Sequence, residues 1–107
     1  MALWGKYTPL ARPLTSRART LGYALGVHGS LERDLDLIAV PWTEEAVEES
    51  SLASALCEET RRVLGWVDVA PGTYPQRRPH GRLAWSLRLT PESGPYIDLS
   101  VMPRREN

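Results

Sequence analysis

Several features of secreted and membrane proteins are scarce or missing in this sequence. It contains one cysteine, Cys57, so no disulfide can form within the chain, which suits a reducing compartment. No stretch reaches the roughly 18 consecutive apolar residues of a membrane-spanning helix, and residues 1–14 lack the apolar segment of a signal peptide. We therefore expect a cytoplasmic protein that does not enter a membrane.

An excess of charge of either sign is also missing. The 13 Lys and Arg residues balance the 13 Asp and Glu residues, so the formal net charge is zero. This balance removes any general electrostatic attraction to nucleic acid, which argues against such a partner without excluding it. Acidic residues concentrate within 44–59 and arginines from Arg77 onward. A local basic surface could therefore face a phosphate-bearing ligand.

The length and the apolar pattern predict a single α+β domain over residues 1–107. We expect an arm or frayed terminus over 1–12 and a loop over 71–81. Apolar periodicity and capping residues predict helices over 15–24 and 43–65, and strands over 25–30, 34–42, 66–70, 82–90 and 96–102. The alternating strands predict a mixed, mostly antiparallel sheet with the helices packed on one face.

The stretch HGSLERDLDLIAV places two aspartates at the head of an apolar strand. Residues two apart in a strand point to the same face, so Asp34 and Asp36 project together, about 6–7 Å apart along the strand axis. Asp98 has a matching setting in YIDLSVM, on the polar face of another apolar strand. If these strands are neighbours, the three carboxylates meet at one end of the sheet. They are then either ligands for a hard cation such as Mg²⁺ or Mn²⁺, or solvated strand ends.

The same residues resemble a motif of the nucleotidyltransferase superfamily of the DNA polymerase beta type. That motif has a Gly-Ser turn, an Asp-x-Asp on the next strand and a third Asp on a later strand. The resemblance covers residues 29–40 and 96–101, and it implies a nucleotidyltransferase-like fold. The wider string from 28 to 104 also resembles small phage and prophage proteins, a likeness that brings no activity with it. For a phage-encoded chain the expected location is the host cytoplasm.

The resemblance implies a role for each motif residue. Gly29 and Ser30 would contact a nucleoside triphosphate, Asp34 and Asp36 would hold Mg²⁺, and Asp98 would complete the metal site and help to deprotonate the attacking hydroxyl. The implied reaction is transfer of a nucleotidyl group from the triphosphate to a hydroxyl of an unidentified acceptor. The alternative is a catalytically inactive relative that serves as a nucleotide- or protein-binding module.

One departure from the family pattern concerns the Gly-Ser turn. Only Leu31, Glu32 and Arg33 separate it from the first aspartate, too few for the turn of helix that the family has there. Gly29 and Ser30 therefore form either a phosphate-binding turn or a hairpin turn, and in the second case Arg33 could neutralise the aspartates.

The basic residues best suited to bind phosphate lie near one predicted strand. Arg82 begins the strand 82–90 on its polar face, and we predict that it clamps phosphates, because a guanidinium can contact two phosphate oxygens at once. Arg77 and Arg78 lie in the predicted loop, where ordering them costs more entropy.

Overall fold

The computed structural model describes residues 4–29, 33–68, 75–90 and 95–104. In chain order the elements are a 3₁₀ turn (Gly5–Tyr7), α1 (Thr8–Thr20), β1 (Tyr23–His28), β2 (Leu35–Pro41), α2 (Glu49–Leu64), β3 (Gln76–Arg77), a second 3₁₀ turn (Pro79–Gly81), β4 (Leu83–Arg88) and β5 (Tyr96–Val101). Helices packed against one mixed sheet make this an α+β fold, so the predicted fold class is confirmed. In the described ranges, no helix is long and apolar enough to cross a membrane.

The sheet has the strand order β1-β2-β5-β4-β3. Among the strands in the described part of the chain, only β2 and β5 pair in parallel; the other neighbouring strands are antiparallel, as the predicted mostly antiparallel sheet requires. The parallel pair lies at the centre, and its register sets Leu35 opposite Ile97 and Asp36 opposite Asp98. The strand ends that carry the motif aspartates are therefore direct neighbours.

Alternation along the strands separates an apolar face from a polar one. In β2, Leu35, Leu37 and Ala39 are buried, whereas Asp36 and Ile38 between them are partly exposed. The apolar sides of the neighbouring strands join this face, and the two helices pack on it. The core cluster also contains Leu10, Leu14, Ala18, Tyr23, Leu52, Leu56, Trp85, Leu87, Ile97, Leu99 and Val101. The polar residues of the same strands lie on the opposite face of the sheet, which we call the open face.

Helix α1 begins earlier than the sequence pattern predicted. It starts at Thr8, and its buried stripe of Leu10, Leu14 and Ala18 has the four-residue spacing of one helix face. The prediction of an arm over residues 1–12 was wrong for this part, because Pro9 lies in the first helical turn, where a missing N–H has no cost. Gly22 follows the helix with a φ of +92°, and a Cβ there would lie 2.6 Å from the Cα of Ala46.

Helix α2 begins later than predicted, at Glu49 instead of Thr43. The preceding segment forms a turn, with Ala46 N–H donating to Thr43 O at 3.3 Å. It is held against the turn between α1 and β1, where Trp42 N–H donates to Gly22 O and Val47 N–H donates to Leu21 O, at 2.9 and 3.0 Å. These backbone bonds compete with helix formation.

The structure also differs from two predictions for the segments after α2. The described part of 66–70 makes only a single bridge, Asp68 with Arg88, and the predicted loop 71–81 contains β3.

Candidate functional site

A row of polar side chains crosses four adjacent strands on the open face. His28 of β1 pairs with Asp36 of β2, Asp36 with Asp98 of β5, and Asp98 with Ser86 of β4. Direct neighbours in parallel strands lie about 4.8 Å apart, so the two carboxyl groups sit side by side. The structure thus brings together Asp36 and Asp98, which are 62 positions apart in the sequence.

Asp34 lies at the same end of the sheet, just before β2 begins. Its Oδ1 accepts a hydrogen bond of 2.9 Å from the backbone N–H of Tyr96, the first residue of β5. The Nε of Arg33 lies 3.9 Å from the same oxygen. Asp34 therefore connects the starts of β2 and β5. Arg33 partly balances its charge, as predicted for the case in which Gly29 and Ser30 form a hairpin turn.

The surroundings of Asp98 in this row raise the pKa of its carboxyl group. Burial is the largest cause that raises the pKa of its carboxyl above the ordinary value of 3.8. The negative charges of Asp34 and Asp36 raise this pKa further, while a hydrogen bond of 2.9 Å from Ser86 Oγ to Asp98 Oδ1 lowers it. A carboxylate whose pKa is raised in this way is a better proton acceptor near neutral pH than an ordinary aspartate.

Gly29 brings the backbone against the Asp36 carboxylate. It follows β1 directly with a φ of +82°, and a Cβ at this position would overlap Asp36 Oδ2. Only glycine can adopt this conformation without strain and let the Asp36 carboxylate pack this close to the backbone. Gly29 also begins the connection between the antiparallel strands β1 and β2, which is a hairpin. Ser30 lies outside the described residues, so its contact with phosphate stays a prediction.

Arg82 lies on the open face, directly before β4 begins and four residues before Ser86. Its Nη1–H donates to Ser100 Oγ at 3.2 Å, and its Nε–H donates to Pro79 O at 3.4 Å. Ser100 is two residues beyond Asp98 along β5, which corresponds to about 7 Å. The guanidinium therefore lies one row away from the carboxylates and on the opposite side of them from Gly29.

A second arginine lies close to the acidic end of the sheet. Arg88 pairs in register with Tyr96, but its guanidinium forms an ion pair with Asp68 and lies over the ring of Trp66, 5.8 Å from the centroid. These contacts hold Arg88 beside β4 and away from the row of carboxylates.

The donor set at Asp34, Asp36 and Asp98 suits Mg²⁺ or Mn²⁺, since all of its ligand atoms are hard oxygens. No group of three His, Cys, Asp or Glu side chains within the described ranges is arranged to hold a metal on its own. Mg²⁺ needs no such group, because it is commonly held by one or two carboxylates together with waters and substrate phosphates.

Sequence reasoning did not identify three of the residues in and beside the row. Ser86 contacts Asp98, Ser100 contacts Arg82, and His28 pairs with Asp36. Alternation had put both serines on polar strand faces, but only the register between strands distant in sequence reveals which aspartate or arginine each one contacts.

No family model and no curated protein matched the sequence. The likeness to nucleotidyltransferases therefore rests on the motif residues themselves.

Proposed function

We propose that this protein is a divalent-cation-dependent nucleotidyltransferase that transfers a nucleotidyl group from a nucleoside triphosphate to a hydroxyl. The observation that supports the proposal best is the side-by-side pair of Asp36 and Asp98 on the open face, with Asp34 at the same strand ends. Like charges held this close destabilise a fold unless a ligand neutralises them, so such a pair points to a cation and an anionic substrate.

Each residue has a distinct task in the proposed reaction. Asp98 accepts the proton of the acceptor hydroxyl, whose oxygen then bonds to the α-phosphorus while the bond from that phosphorus to the bridging oxygen breaks and pyrophosphate leaves. Ser86 orients the Asp98 carboxylate through its hydrogen bond. The backbone at Gly29, which carries no side chain and lies beside Asp36, is the proposed contact for the phosphates.

Mg²⁺ or Mn²⁺ bound by Asp36 and Asp98, with Asp34 close by at the same strand ends, would neutralise charge on the triphosphate. Asp36 is the central ligand in this assignment, since it lies between Gly29 and Asp98.

A second candidate function is a nucleotide- or protein-binding module without catalysis. Two observations favour it: the connection that begins at Gly29 joins the antiparallel strands β1 and β2 and has too few residues for the helix of the family pattern, and Asp34 is engaged by Tyr96 and Arg33. In this case the row of carboxylates would bind an ion or a partner but would not support nucleotidyl transfer.

Calorimetric titration of a non-hydrolysable nucleoside triphosphate, with and without Mg²⁺, tests the proposal. The proposal expects Mg²⁺-dependent binding that Asp36→Asn and Asp98→Asn abolish and that Asp68→Asn retains, because Asp68 lies in an ion pair outside the row. Release of pyrophosphate from the natural triphosphate, lost in Asp98→Asn, separates the enzyme from the binding module. Binding without any pyrophosphate release would favour the module, and no binding of any common triphosphate would contradict the enzyme.

A further inference from the structure

The position of Arg82 bears on the acceptor of the proposed reaction. Its guanidinium is held at Ser100, which lies in the same cross-strand row as Gly26 and Ile38. Gly29 is three residues beyond Gly26 and two strands away from Ser100. Strand spacing and rise per residue therefore put Gly29 and the Arg82 guanidinium about 14 Å apart.

One triphosphate cannot bridge this distance, since its three phosphorus atoms are joined through single oxygen atoms. If the triphosphate lies against Gly29, Arg82 is out of its reach. Asp98 lies between the two positions, about 10 Å from the line of β1 and about 7 Å from Ser100. A hydroxyl beside Asp98 would thus have the triphosphate on one side and Arg82 on the other.

A second arginine extends the basic surface at Arg82. The backbone N–H of Arg78, just after β3, donates to the O of Arg82, just before β4, at 2.8 Å, so the two residues are neighbours. Strand alternation sets Arg78 on the same face as Gln76, whose amide oxygen accepts a 2.6 Å bond from its guanidinium, and Gln76 pairs with Ala84 of the open face. Arg77 pairs with Leu83 and so belongs to the opposite face. The open face therefore carries an arginine pair, Arg78 and Arg82.

We infer that this arginine pair binds a phosphate group of the acceptor and not the donor triphosphate. The inference rests on the proposed function, and it gives the acceptor a chemical class: a sugar hydroxyl on a molecule that also carries a phosphate. The distance of about 7 Å from Asp98 to Ser100 suits a hydroxyl and a phosphate on the same sugar. Arg82 provides the main contact because Ser100 and Pro79 fix its guanidinium, which leaves N–H groups of the fork to meet phosphate oxygens.

Binding of ribose 5-phosphate, with ribose as the matched ligand, tests the inference by NMR titration at millimolar concentration. We expect ribose 5-phosphate to bind at least tenfold more tightly than ribose, and Arg82→Gln to remove this advantage, because hydrogen bonds between charged groups are typically worth about tenfold or more. Arg77→Gln, on the other face of β3, is the control and should leave the binding unchanged. Arg82→Lys, which keeps the charge but loses the fork, should give an intermediate affinity.

The affinity for the donor triphosphate is measured in the same variants by calorimetry with a non-hydrolysable nucleoside triphosphate and Mg²⁺. An unchanged triphosphate affinity in Arg82→Gln supports the inference, and a loss there with unchanged ribose 5-phosphate binding overturns it. Equal affinities of the wild type for ribose and ribose 5-phosphate also overturn it. If no triphosphate binds but Arg82-dependent phosphate binding is found, the anion site stands and the proposed reaction fails. A short single-stranded oligonucleotide that competes more strongly than ribose 5-phosphate would identify a nucleic-acid end as the source of the phosphate.

Discussion

Replacing Asp36 by asparagine should make the protein more stable at neutral pH. The substitution keeps the size of the side chain and removes one of two like charges that the register sets about 5 Å apart. At that distance the repulsion between unit charges is about 3 kcal/mol with an effective dielectric constant of 20, and about 0.8 kcal/mol in water. Since Asp36 and Asp98 are both partly exposed, we expect a gain toward the lower value, about 1 kcal/mol.

The gain should depend on pH with a definite sign. A raised carboxyl pKa means that the folded state holds the proton of Asp98 more tightly than the unfolded state does, so wild-type stability falls as the pH rises from 3.8 through the raised value. Below this window Asp98 is protonated and no longer repels Asp36. The difference between Asp36→Asn and the wild type should therefore be present at pH 7 and shrink toward zero at pH 3.

Urea unfolding at both pH values measures this difference, and thermal unfolding should show a rise in Tm of about 4–8 °C at neutral pH for a domain of this size. Asp68→Asn is the matched control: it removes a carboxylate that is paired with Arg88, so its stability should fall by up to about 1 kcal/mol. A clear loss of stability in Asp36→Asn would refute the reasoning, and so would a gain of equal size at pH 3.

Four further substitutions test other parts of the account. Gly29→Ala and Gly65→Ala should each lower the free energy of unfolding in urea by about 1–2 kcal/mol, since both glycines have positive φ. Only Gly29→Ala should shift the NMR signal of the Asp36 carboxyl, and the same Asp36 signal in both variants would contradict the close approach of Gly29 to Asp36. Tyr23→Phe should lose about 1–2 kcal/mol, because the buried hydroxyl donates to a backbone carbonyl at 2.7 Å. Because burial raises the pKa of Tyr23 to about 12, wild-type stability should also fall between pH 10 and about 12, and that of the variant should fall less, since it keeps the raised phenol pKa of Tyr7 but not that of Tyr23. Leu10→Ala should cost about 2–5 kcal/mol in urea unfolding, and a loss below 1 kcal/mol would mean that this region is not part of the core.

Local pattern was enough to predict the fold class and the polar face of each central strand. The alternation around Asp36 and Asp98 gave their shared orientation, because side-chain direction in a strand depends only on sequence parity. The ends of the helices were harder to predict. Pro9 is compatible with either an arm or a first helical turn, and the choice depends on the burial of Leu10 against the rest of the core.

Contacts between distant segments could not be predicted from the sequence. The parallel register of β2 and β5 decides that Asp36 meets Asp98, and the antiparallel register of β4 and β5 decides that Ser86 does. The same registers put the Arg82 guanidinium at Ser100 and not beside the carboxylates. Alternation along the strand predicts the face on which Arg82 lies, but not which residue of β5 it contacts. Pairing between strands far apart in the chain depends on the whole core, which no local window contains.

The most direct test of the central claim is to locate a bound cation by its effect on NMR signals. In a titration with Mn²⁺ in the presence of a non-hydrolysable nucleoside triphosphate, the amide signals of Gly29, Asp36 and Asp98 should broaden first, because the paramagnetic ion relaxes nearby nuclei most strongly. The signals of β3 and of the distant end of β4 should broaden only at higher Mn²⁺ concentration. Broadening that begins at another surface, or that is unchanged in Asp36→Asn, would contradict the assignment of the carboxylate row as a metal and nucleotide site.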